Sequence, residues 1–177
     1  MFLKSIDNLA KIILKSSFIF VFFTISHLSN ATEKKNEWGI ETSKVSGQTI
    51  FFHAWGGAKN INSYIKWASD KVKKKYNITV KHVKVSDTAN VVARILSEKN
   101  VKKDNNGAVD LVWINGENFS VMKKNNMLLS ESWIKDLPNS KYLDFENNPS
   151  LLNDFGVPTE GMEMPWGVSQ LNFYYDS

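Results

Sequence analysis

Residues 49–60 read TIFFHAWGGAKN, and few folds accommodate such a stretch. Its first four residues are β-branched or aromatic, which describes a strand covered on both faces. His53 and Ala54 carry the strand to its end, Trp55–Gly56–Gly57 breaks it with a turn, and an amphipathic helix begins beyond Lys59. A buried strand, a glycine-rich turn and a helix N-terminus together build the ligand-facing edge of an open α/β sheet. The turn lacks the third glycine of a dinucleotide fingerprint and the lysine–hydroxyl pair of a nucleotide-binding loop, so it implies neither.

The same unit recurs twice. Ile61, Tyr64, Ile65, Ala68 and Val72 make one apolar stripe and predict a helix over residues 59–76, stopped by Asn77. Lys71, Lys73, Lys74 and Lys75 crowd its last turns, where cations favour the negative end of the helix dipole and face water. Residues 78–85, ITVKHVKV, predict a second strand, in which Ile78 and Val80 share one face whereas Val83 and Val85 share the other. That phase change implies either a bulge or a strand buried on different faces at its two ends. Ser86 or Asp87 can cap the following helix, which buries Val91, Val92, Ile95 and Leu96. Residues 108–114, AVDLVWI, form the third and most hydrophobic strand, and a short helical turn then buries Phe119 and Met122. Three strands each followed by a helix demand right-handed crossovers, hence parallel strands with helices on both sides.

The amino terminus addresses export. Lys4, Lys11 and Lys15 stand against a single Asp7, residues 17–25 are almost unbroken apolar, and Ser29 and Ala31 supply the small residues a signal peptidase reads. This order describes a secretory signal peptide over residues 1–31, with periplasmic delivery. The apolar run falls short of the ~20 residues that span a bilayer. No cysteine is present, so disulfides, thiolate catalysis and lipid attachment through sulfur are excluded. Removing residues 1–31 leaves 146 residues with 19 basic and 17 acidic side chains, too even a balance to imply nucleic acid.

Residues 32–48 read as a flexible, polar lead-in. Residues 127–167 are long, irregular and rich in Pro, Asn, Gly and aromatics, a composition that in a compact domain marks a functional segment. From residue 168 a strand pattern returns, with Leu171, Phe173 and Tyr175 alternating. A sheet strand so near the end, with no helix to cover it, leads us to expect a fragment of a longer protein.

TIFFHAWGG, KHVKVSDTANVVARILSEK, VDLVWINGENF and MPWGVSQLNFYYDS resemble the periplasmic substrate-binding proteins of ABC importers, the extracellular solute-binding proteins of type II-like architecture. The likeness covers nearly all of residues 49–177 and matches only the N-terminal portion of such proteins; WINGENF and the PWG…YDS pairing are its specific part. It implies an α/β fold: a periplasmic-binding-protein-like lobe over residues 49–167 with a mostly parallel sheet. Residues 168–177 would begin the strand crossing toward a second lobe that this chain lacks.

The resemblance and the sheet argument agree on where a ligand would lie. Loops at the carboxyl ends of parallel strands form the binding edge. They supply Trp55, Gly56 and Gly57, then Asp87 and Thr88, then Asn115, Gly116 and Glu117, and Trp166 precedes the crossing strand. Trp55 or Trp166 can stack on a flat or cationic solute, and Asp87 or Glu117 can pair with a positive group. Each has a structural alternative: Trp55 can cover the sheet edge, Asp87 and Glu117 can cap helices, and Trp166 can pack at a hinge. Trp113 reads as core. His27, His53 and His82 lack a metal-binding spacing.

The expected function is therefore the solute-binding component of an import system. It would capture a small cationic or heteroaromatic molecule and deliver it to ABC permease subunits in the membrane. The intact protein would be a monomer with no cofactor, no metal and no catalysis. A secreted hydrolase is the first alternative. Neither a G-x-S-x-G elbow nor an H-E-x-x-H pair occurs, which leaves an Asp87–Glu117 carboxylate pair as its only basis. A secreted protein-interaction module using residues 127–167 is the second.

Overall fold

The apolar segments build a three-stranded sheet with β1 (Thr49–Trp55) at its centre. On one side β1 pairs in parallel with β2 (Thr79–Val85), and on the other with β3 (Leu111–Val112). The computed structural model describes residues 42–103, 105–129 and 133–167, all within the compact unit Lys35–Ser177. The expectations for the signal peptide, for most of the lead-in and for the strand from residue 168 onward lie outside the described residues. Within them the chain is an α/β domain.

The β1–β2 register runs unbroken from Thr49 opposite Thr79 to Trp55 opposite Val85. The phase change in β2 is therefore burial on two faces and not a bulge. Val80, His82, Val83 and Val85 are all half-buried, and only Lys81 and Lys84 are exposed. β3 is shorter than the apolar run that contains it. Asp110 explains the start: its carboxylate accepts from the Phe51 N–H at 2.8 Å while its own N–H donates to the Phe51 carbonyl. The ladder is prolonged at the far end by the Trp113 N–H donating to the His53 carbonyl at 2.8 Å.

A short helix, α1 (Thr42–Val45), precedes β1, and α2 (Lys59–Tyr76) connects β1 to β2. Asn77 ends α2 in the left-handed conformation (φ 56°), one of the few side chains that tolerates it, and its N–H returns to the Lys73 carbonyl. The next helix, α3 (Thr88–Asn100), is capped by Asp87, whose carboxylate accepts from the Ala89 N–H at 2.8 Å. It packs on β1 and on α4 (Gly116–Lys124), the helix that follows β3. Right-handed crossovers from β1 out to β2, and from β2 back past β1 to β3, put α2 and α3 on opposite faces.

The core follows from these layers. Ala54 from β1, Ile65 from α2, Val91 and Val92 from α3, and Phe119 and Met122 from α4 are buried. Residues 127–167 contribute three 3-10 turns (Trp133–Asp136, Pro138–Tyr142 and Pro149–Leu152) and a small antiparallel pair. The pair joins β4 (Asn153–Asp154) to β5 (Val157–Pro158). Ile134 of the first turn is buried, so this irregular segment closes part of the core.

Candidate functional site

Strand order β2–β1–β3 makes the gap between the carboxyl ends of β1 and β3 the point where the chain's direction of winding reverses. In open α/β sheets this is where a crevice opens between diverging loops. Trp55–Gly56–Gly57 leaves β1 there, and Asn115–Gly116–Glu117 follows β3.

The first loop is held tightly. The Gly56 N–H donates to the Val85 carbonyl at 3.2 Å, and the Gly56 carbonyl accepts from Asn62 Nδ2 at 2.8 Å, tying turn to helix. A Cβ on Gly56 would lie 2.7 Å from Lys84 Cβ, so only glycine allows the strand end this close to β2. The Trp55 indole is 45% exposed and lies across Gly57, where any Cβ would overlap the ring. Gly57→Ala should swing Trp55 outward. Because that ring already borders solvent, a red-shifted tryptophan emission with less than about 1 kcal/mol lost in denaturant unfolding is expected.

Asp87 is exposed, with one carboxylate oxygen committed to capping α3. Thr88 Oγ1 donates to the Trp113 carbonyl at 3.4 Å, linking that helix start to the end of β3. Asn115 and Glu117 are exposed, and Glu117 stands in the first turn of α4, where its charge suits the dipole. Gly116 differs from both. It is buried, sits at φ +55°, and its N–H donates to the carboxylate of Asp154. The Phe155 ring covers it, 3.4 Å from where a Cβ would stand. The chain itself thus supplies the acceptor for the first amide of α4.

Trp166 is half exposed and packs between two elements. Its ring lies 4.9 Å from Trp113 at 36° and meets Tyr64 edge-on at 5.4 Å; Tyr64 in turn lies 5.5 Å from Trp67. Tyr64, Trp67 and Trp166 are each about half exposed, at 51%, 55% and 50%. Trp113, expected in the core, lies just past β3 and is only half-buried. Tyr64, Trp67 and Trp113 are the site candidates that sequence reasoning missed. Tyr64 and Trp67 stand three residues apart on α2, so one face carries both; only the position of Trp166 reveals that this face borders the sheet's carboxyl end.

Glu163, three residues before Trp166, has one carboxylate oxygen buried without a hydrogen-bond partner. Burial first, and the neighbouring Asp154 charge second, push its carboxyl up to about 7. Among the described residues no group of three His, Cys, Asp or Glu side chains could hold a metal ion, and no helix is long and apolar enough to cross a membrane.

Comparison with known proteins adds one relation. The chain is 42% identical over 153 residues to Protein YnjB of Escherichia coli (strain K12). The aligned part is 86% of this chain, which spans 37% of the relative's length. No protein-family model matches the chain, and no solved structure matches it significantly.

Proposed function

We propose that this chain carries one lobe of an exported solute-binding protein that serves an ABC importer, with the sheet's carboxyl edge as one wall of the binding cleft. The observation that supports it best is the half-exposed aromatic group of Trp166, Tyr64 and Trp67, in which Trp166 also meets Trp113 just past the end of β3. Exposed rings held in place by their neighbours offer flat π-faces at low entropic cost, which suits a cationic or heteroaromatic solute. Glu117 and Asp87 border the same edge and favour positive charge.

The mechanism involves no bond making. A solute stacks on the aromatic wall, a facing lobe of the longer protein closes over it, and the closed form docks on permease subunits. One wall alone cannot enclose a solute, so the lobe by itself should bind weakly.

Intrinsic tryptophan fluorescence tests the reading. Titrating the purified chain with quaternary amines, thiazolium or pyridinium compounds and polyamines should give saturable quenching for one class. Trp166→Ala should weaken that binding about tenfold while the fold persists. Flat titrations across all three classes, or turnover of a tested compound, would overturn it.

A further inference from the structure

β2 ends the sheet on one side, and its outer edge is open. The strand order is β2–β1–β3, and among the described residues β2 pairs only with β1. The Thr79 N–H donates to the Gln48 carbonyl at 2.8 Å, and the Val85 carbonyl accepts from the Gly56 N–H at 3.2 Å. Backbone groups alternate sides along a strand, so Thr79, Lys81, Val83 and Val85 turn theirs toward β1. The N–H and C=O groups of Val80, His82 and Lys84 therefore point away from the sheet, with no strand opposite them among the described residues.

An open groove of about 710 Å³ runs beside that edge, between β2 and α2. Its helix wall is Lys59, Asn62, Ser63, Lys66, Ser69 and Asp70, a stripe at helical spacing that is polar throughout. Asn62 gives its Nδ2 to the Gly56 carbonyl at 2.8 Å and leaves its Oδ1 buried with no donor. A bare strand edge and an unmet acceptor thus border one groove. An extended backbone supplies the alternating N–H and C=O groups that both lack.

Charge decides the occupant. β2 carries Lys81 and Lys84 and no acidic residue. Both lysines are exposed, and neither has an ion-pair partner among the described residues. Asp70, the carboxylate on the groove wall, is already taken by Lys66 at 2.7 Å. A second copy of β2 would bring like charges together across the edge, which is how natural edge strands resist self-pairing. An acidic chain meets no such penalty. The two faces of the edge also differ. Val80, His82 and Lys84 turn their side chains to the polar groove, so Lys81 and the half-buried Val83 and Val85 lie on the opposite face. An incoming strand fits best with acidic residues toward α2 and apolar residues toward Val83 and Val85.

We propose that the outer edge of β2 docks an extended segment of a partner protein in which acidic and apolar residues alternate, added as a fourth strand. About five residues suffice to pair from Val80 to Lys84. This edge does not depend on the solute-binding reading.

The test is amide NMR and hydrogen exchange on the whole chain, titrated with the capped peptide acetyl-VEVEVE-amide. Saturable shifts along β2 are expected, with slowed exchange at the Val80, His82 and Lys84 amides. The Thr79, Lys81 and Val83 amides, already turned to β1, should keep their rates. Acetyl-VKVKVK-amide, and the acidic peptide methylated on alternate backbone nitrogens, should each bind at least about tenfold more weakly. Combined Lys81→Glu and Lys84→Glu should weaken the acidic peptide about tenfold or more. The same reversal at Lys124 and Lys135 changes net charge equally but lies outside the groove, so it should weaken binding less than about twofold. All four lysines are exposed, so these variants keep the fold. Absence of saturable shifts would overturn the docking edge, as would equal binding of the cationic or methylated peptide. Equal weakening by the two double variants would also overturn it. So would concentration-dependent protection of the same three amides without peptide, which would make the occupant a second copy of the chain.

Discussion

Phe119→Ala is expected to lower the free energy of unfolding by about 3–5 kcal/mol, the usual range for removing a buried aromatic ring. Phe119 is 0% exposed and is the largest fully buried side chain of the described residues. It projects from the first turns of α4, and the helix buries Gly116 and Met122 along with it. The cavity left by alanine cannot be filled cheaply, because Gly116 is locked at positive φ beneath Phe155 and α4 is tied to β4 through Asp154. Small domains hold only about 5–15 kcal/mol in reserve, so the variant would stand near the edge of folding. Urea unfolding followed by circular dichroism measures this directly. Phe119→Leu, which keeps most of the volume, should cost much less, about 1–2 kcal/mol. A loss below about 1 kcal/mol for alanine would mean that α4 does not share the core of the sheet. The loop that begins α4 also carries Asn115 and Glu117, so destabilising Phe119 should loosen the candidate site as well.

The parallel sheet and its helices were legible because each rests on local pattern. Apolar runs gave β1 and β2, one apolar stripe gave α2, and Asp87 and Asn77 marked a helix start and a helix stop. Two features were not legible, and both depend on contacts between residues distant in sequence. β3 shrank to two residues, and Asp110, the lone charge in its apolar run, is the group that engages the Phe51 amide to start the ladder. Gly116 was expected in a ligand-facing loop, yet Asp154 takes its amide from 38 residues away. Periodicity carries no information on which carboxylate in an irregular segment will reach a given helix end. The aromatic wall was half legible for the same reason. Trp166 follows from its loop, whereas Tyr64 and Trp67 look like ordinary helix residues until Trp166 is seen against Tyr64.

The stability of this domain should fall between about pH 4.5 and pH 7, and Glu163 should be the cause. Its carboxyl, ordinarily near 4.5, is pushed up to about 7 by burial and then by Asp154. A raised carboxyl means that the folded chain holds this proton more tightly than the unfolded chain does. Below the ordinary value both states are protonated and the full contribution is present. As pH rises, the unfolded chain releases the proton first, and stability declines until the folded group also ionises. A fully buried group would lose about 1.4 kcal/mol per pH unit across that window. Glu163 keeps partial access to water, and solvent screening reduces the expected total to about 1–2 kcal/mol. Glu98 and Asp144 act in the opposite sense. The Ala108 N–H holds Glu98 low and the Asn147 side chain holds Asp144 low, so their contributions are lost only in more acidic solution. Glu163→Gln isolates the effect, since it keeps the shape and removes the ionisation. Urea midpoints at pH 5 and pH 8 should converge in the variant and differ in the wild type; equal pH dependence in both would assign the decline elsewhere. The decline has a location too, because Asp154 both repels Glu163 and accepts from the first amide of α4. Ionising Glu163 beside Asp154 disfavours the packing of residues 153–163 over Gly116. The loop after β3 should therefore exchange its amide hydrogens faster at pH 8 than the intrinsic pH dependence of exchange predicts.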